Sequence, residues 1–124
     1  MSDKMKRQFG VWMDTHRSTI VGRAPAASEF TILGHAKNLG PGSNSSENTS
    51  NHHEITLVHK YFKEIGRFLE NADEVHVTGT GTIQEQFMHY LGDTPQFKKT
   101  VVTESTSTPM SDDKLTAFIS SHFN

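Results

Sequence analysis

Four groups of side chains have types and spacings that could do chemistry. Asp14 and Glu64 are carboxylates on a first strand and a first helix, and two-metal phosphodiester hydrolysis needs several such groups around ions roughly 4 Å apart. The later strand that would complete the cage reads Val75-His76-Val77-Thr78-Gly79 and ends without a carboxylate, so Asp14 is read as a turn residue and nuclease activity is not expected. His52-His53-Glu54 resembles the start of a His-Glu-x-x-His zinc site, but the position four after His53 is Leu57. His52 and His59 stand two helical turns apart, about 10.5 Å, too far to share one ion without outside ligands. No metal and no cofactor is assigned.

The third group, Gly79-Thr80-Gly81-Thr82, lies between a strand and a helix. Backbone amides at a helix N-terminus and the two hydroxyls make it the candidate anion site. It lacks the Lys-Ser/Thr pair of a P-loop and the third spaced glycine of a dinucleotide fingerprint, and a plain tight turn explains it as well. The fourth group is His59, Lys63 and Arg67, four apart along one helical stripe, with Lys60 beside them and Glu64 diluting the charge. This stripe is the candidate RNA contact; a merely solvated helix face is the plainer alternative.

Periodicity and capping residues supply the elements that would position these groups. Phe9, Val11 and Met13 alternate with Gly10, Trp12 and Asp14, so 9–14 is a strand, with Phe9 and Trp12 in the sheet core. Asp14-Thr15-His16-Arg17 is a turn into a second strand at 18–23, and a third strand follows at 30–36. Asn51 with Glu54 reads as a capping box opening a helix that runs to Glu70, with Val58, Tyr61, Phe62, Ile65, Phe68 and Leu69 on its apolar face. Residues 73–78 form a strand. Thr82 and Glu85 read as a second capping box, for a helix bearing Ile83, Phe87, Tyr90 and Leu91 and ended by Gly92. A last strand at 99–104 centres on Val101 and Val102, and Ser111 caps a final helix with Leu115, Phe118, Ile119 and His122 inward.

Between the strand-only half and the alternating half lie residues 38–51, Asn-Leu-Gly-Pro-Gly-Ser-Asn-Ser-Ser-Glu-Asn-Thr-Ser-Asn, which are expected to form a long, flexible, exposed loop. The 124 residues suit one domain, 1–124. There is no cysteine, so disulfides, thiolate metal sites and cysteine nucleophiles are excluded. The charged start, Met-Ser-Asp-Lys-Met-Lys-Arg-Gln, leads into no apolar run; neither a signal peptide nor a membrane span is expected, and the location is read as cytoplasmic. Asn44-Ser-Ser and Asn48-Thr-Ser are then loop composition and not glycosylation sites. Net charge is −2, with six Lys/Arg against three Asp/Glu in 1–37 and three against eight in 68–124. That balance does not suit a DNA-binding protein, and any RNA contact must come from one local face.

The order βββαβαβα specifies an α/β fold. A three-stranded antiparallel meander joins two parallel strands in a mixed five-stranded sheet with three helices, a ribonuclease H-like topology. Phe9-Gly-Val-Trp-Met-Asp-Thr-His-Arg-Ser-Thr-Ile-Val-Gly, the helix from His53 to Glu70, Ala72-Asp-Glu-Val-His-Val-Thr-Gly-Thr-Gly-Thr and the helix through Leu91 together resemble the middle domain of archaeal and eukaryotic peptide-chain release factors and its stand-alone bacterial relatives. The resemblance covers nearly the whole chain and implies a translation-associated, ribosome-binding protein. In those factors the loop before the first long helix holds a Gly-Gly-Gln tripeptide that promotes peptidyl-tRNA hydrolysis. Here the loop has Gly40-Pro41-Gly42 and no glutamine, so no catalytic residue carries over. The expected function is therefore non-enzymatic, with ribosomal RNA or a ribosomal protein as partner. The alternative is a small phosphate- or nucleotide-binding protein, or a hydrolase, using Gly79 to Thr82 with Asp14. The oligomeric state is left open.

Overall fold

The computed structural model of the chain describes residues 7–23, 29–38 and 50–123, with side chains in the first helix described from residue 57 onward. Strands β1 (Gln8–Met13), β2 (Arg17–Gly22) and β3 (Thr31–Lys37) precede helix α1 (Ser50–Phe68), strand β4 (Glu74–Gly79), helix α2 (Thr82–Asp93), strand β5 (Val101–Thr106) and helix α3 (Asp112–Phe123). They form one five-stranded sheet in the order β3-β2-β1-β4-β5. β1 pairs antiparallel with β2, placing Val11 opposite Ile20, and parallel with β4, placing Val11 opposite Val77. β5 continues parallel to β4, with Val77 opposite Glu104. The expected meander and parallel pair are both present.

Both sheet faces are covered because β1 and β4 have two faces to bury. Phe9, Val11, Met13, Val75 and Val77 pack with Tyr61, Phe62, Ile65 and Leu69 of α1 and with Ile83, Phe87 and Leu91 of α2. On the opposite face Trp12 and Val21 pack with Phe30 and with Leu115 and Ile119 of α3. Phe9 and Trp12 are thus core residues, each 4% exposed. Phe62 is an aromatic hub of the first layer, with ring centroids 5.2 Å from Phe87 and 5.5 Å from Tyr90.

Several boundaries differ from the sequence expectation. α1 begins at Ser50, so Asn51 lies inside the helix and does not cap it. Thr82 is the first helical residue of α2: Gly81 occupies the N-cap, with no side-chain capping bond, and the expected capping box does not form. Gly92 is interior to that helix, whose end is instead secured by Thr94, its hydroxyl donating to Tyr90 O at 2.6 Å. A 3₁₀ turn at Pro95–Phe97, unforeseen, buries Phe97 against the first layer. The last strand starts at Val101, which is 57% exposed and not central to any core. Ser111 does cap α3, accepting from Lys114 N–H at 3.2 Å. His122 remains exposed over much of its surface, although its ring reaches inward to the sheet.

Phe62→Ala should cost about 3 to 5 kcal/mol, the range for deleting a fully packed aromatic ring, measured as a lowered urea midpoint at unchanged slope.

Candidate functional site

The β1–β2 turn is held from several directions. Asp14 Oδ1 accepts from the His16 and Arg17 amides, both at 2.8 Å, while Asp14 N–H donates to Arg17 O at 2.9 Å. That is the turn role expected for Asp14. Asn38, just past β3, donates through its amide to His16 O at 2.9 Å and through Nδ2 to Thr15 O at 2.8 Å. From α1 the buried Tyr61 hydroxyl donates to Asp14 O at 2.9 Å. Burial pushes the Tyr61 phenol above its ordinary pKa and keeps it a protonated donor.

These bonds fix which end of α1 lies by the hairpin. His59, Lys60, Lys63 and Arg67 are all exposed on the side of α1 away from the core, as is Glu64. Tyr61 ties the turn carrying His59 and Lys60 to a hairpin whose exposed residues include His16 and Arg17. Arg17 pairs in register with Lys37 of β3, which is also exposed. Arg17 and Lys37, twenty residues apart in the chain, become neighbours through a strand register that was not foreseen; they alternate with Ala36, which packs in the α1 layer, and so lie with His35, whose ring meets Asp112 of α3, on the other side of the sheet from the α1 stripe. The loop at 38–51, apart from Asn38 and the first turns of α1, lies outside the described residues.

The Gly79 to Thr82 segment has a backbone explanation for its glycines. A Cβ on Gly79 would collide with Met13 O, so glycine permits the close approach of β4 to β1. Gly81 has φ 122°, a conformation that side-chain-bearing residues rarely adopt. Thr80 and Thr82 are exposed. Among the described residues no group of three His, Cys, Asp or Glu is placed to hold a metal ion.

A polar feature not foreseen from the sequence runs across the α3 face of β4 and β5. His76 is 3% exposed, with Nδ1 2.7 Å from Thr103 Oγ1 and Nε2 2.8 Å from Ser105 Oγ. Ser105 donates to Thr78 Oγ1 at 2.9 Å, and Thr78 lies 2.8 Å from Ser107 Oγ. Because the Ser105 hydrogen is spent on Thr78, His76 donates from Nε2 to Ser105 and accepts at Nδ1 from Thr103. The order is the reverse of a serine nucleophile activated by a histidine base, and it makes the chain a structural bridge between strands. The His122 ring stacks on His76 at 3.9 Å. Burial, followed by the neighbouring His122, pushes the His76 pKa down to about 4. The detectable signal was the alternation of His76 and Thr78 against Val75 and Val77, matched by Thr103, Ser105 and Ser107.

An open recess of about 360 Å³ lies at the start of β1, β4 and β5 beneath the end of α3. Its polar rim is engaged internally: Gln8 donates to Glu74 at 2.6 Å and accepts from Arg23 at 2.6 Å.

No family model matches the chain, and no curated protein matches its sequence. Solved structures do resemble it. The Pelota protein of Thermoplasma acidophilum superposes with a TM-score of 0.56 at 18% identity, over 92% of this chain and 31% of that one. The archaeal translation termination factor aRF1 gives 0.59 at 15% identity, over 98% and 38% respectively. A model of ribosome-bound archaeal Pelota and ABCE1 gives 0.58 at 14%, over 90% and 30%. The chain shares its fold with part of these release-factor-like proteins. It spans about a third of their length.

Because the folded His76 titrates below its unfolded value near 6.5, the unfolded chain binds the extra proton between these pH values. Its contribution to stability is complete above about pH 6.5 and is lost as pH falls toward 4. Urea midpoints should fall over that window, and His76→Gln should flatten the fall.

Proposed function

We propose that this chain is a non-enzymatic, translation-associated protein that binds the ribosome, with ribosomal RNA phosphates meeting a face made of His59, Lys60, Lys63 and Arg67. The observation that carries the reading is the fold shared with archaeal Pelota and aRF1, one of those structures being described as ribosome-bound. The exposure of the four α1 side chains is consistent with it. Lysine and arginine on such a face supply sequence-independent attraction to phosphate, and α1 holds them on a rigid element. Absence of a glutamine in residues 38–51 argues against peptidyl-tRNA hydrolysis by the route that the release-factor resemblance would imply.

Co-sedimentation with ribosomes at several salt concentrations tests the proposal. Charge reversal at Lys63 and Arg67 should weaken association and reduce the salt slope by about one for each phosphate that is no longer neutralised. Replacing residues 39–49 with a short linker should leave folding nearly intact, since closure entropy changes by only about 0.6 kcal/mol per doubling of loop length. It should weaken sedimentation if the loop also touches the ribosome. Association that survives the charge reversals at an unchanged salt slope would refute the phosphate interaction.

A further inference from the structure

β5 ends the sheet, and among the described residues it pairs only with β4. Its two ends reveal which backbone groups are left over. Val101 N–H donates to Asp73 O at 2.9 Å, and Ser107 N–H donates to Gly79 O at 2.7 Å. Along a strand the backbone polar groups of successive residues point to opposite sides, so Val101, Thr103, Ser105 and Ser107 bond inward. Val102, Glu104 and Thr106 turn their N–H and C=O groups outward. Natural edge strands are usually blunted by charged side chains, Lys above all, by Pro or by a bulge. β5 is Val-Val-Thr-Glu-Ser-Thr, in unbroken register with β4; it has no Lys, Pro or bulge, and its one charged side chain, Glu104, accepts from Gln84 Nε2 at 3.2 Å. Its Val101 side chain is 57% exposed.

We infer that this edge pairs with the same strand of a second copy of the chain, antiparallel, about a two-fold axis passing through Thr103. Register and charge select that arrangement. Two axis positions give the fullest overlap of the strand with itself, one at Thr103 and one at Glu104. An axis at Glu104 sets the two carboxylates directly opposite each other, a destabilising like-charge pair. With the axis at Thr103, outward-facing Val102 and Glu104 of one copy meet Glu104 and Val102 of the other as hydrogen-bonded pairs. Thr103 then faces its own copy, a favourable cross-strand pairing, and exposed Val101 is covered opposite Ser105. The two sheets join into one through an isologous contact. This surface lies at the opposite edge of the sheet from β3 and does not depend on the ribosome reading.

The lack of any cysteine gives a direct test. Residues facing themselves across a non-hydrogen-bonded antiparallel pair have Cα atoms about 4.5 Å apart, within disulfide range. Thr103→Cys should therefore form a disulfide-linked dimer under mild oxidation, whereas Val101→Cys, which faces Ser105, should not. In sedimentation equilibrium the unmodified chain should rise from 13.9 kDa toward twice that mass as its concentration increases from about 1 μM to about 1 mM. Val101→Lys, which adds an edge charge without touching the β4 ladder, should return the mass to that of the monomer. A chain that stays monomeric throughout overturns the inference. So does a dimer indifferent to Val101→Lys, or equal cross-linking at positions 101 and 103.

Discussion

β1 is buried on both faces, and the placement of every other element follows from that. Phe9, Val11 and Met13 are covered by α1 and α2, while Trp12 is covered by α3. A strand so enclosed must have a sheet neighbour on each side to satisfy its backbone, and it has β2 antiparallel and β4 parallel. The parallel neighbour cannot be reached by a tight turn. The chain must cross over through a helix, and α1 is that crossover. Gly79 belongs to the same constraint, because the strand beside β1 approaches so closely at its end that a Cβ would strike Met13 O.

The two faces are not equivalent. α3 packs chiefly against β1, β2 and β3, leaving the β4–β5 side of its face without a helix directly above it. There the sheet relies on hydrogen bonds where apolar packing is thin: Thr103, His76, Ser105, Thr78 and Ser107 are linked in sequence across the two strands. Only the end of α3, through Phe118 and His122, reaches the His76 ring. The same asymmetry leaves β5 outermost and thinly covered. On the α1 side the apolar layer is joined by a polar tie, since the buried Tyr61 phenol connects the β1–β2 turn to α1 and so sets which end of the basic stripe lies by the hairpin.

Much of this architecture was legible from residue order. Alternation in 9–14, the apolar face of α1 from Val58 to Leu69 and the Val75–Val77 strand each follow from a local period, and their order leaves few ways to form a sheet. Asp14 was legible as a turn residue because its carboxylate needs only the amides two and three positions on. Helix ends were less legible. Thr82 and Glu85 have the spacing of a capping box, yet Gly81 takes the cap position, because backbone geometry at a strand-to-helix junction overrides side-chain preference.

Residue order by itself determined the element types, the βββαβαβα order, the exposed basic stripe of α1 and the lack of any thiol chemistry. Tertiary structure alone decided which distant residues became neighbours. Arg17 and Lys37 adjoin through an antiparallel pairing, and His76 meets Thr103 and Ser105 through a parallel one. It also decided that Val101, apolar and in a strand, lies on the outer edge instead of in the core. The reason is physical: a period of two or of 3.6 specifies which face of an element is apolar, but only closure of the whole sheet specifies what that face and each strand edge will meet.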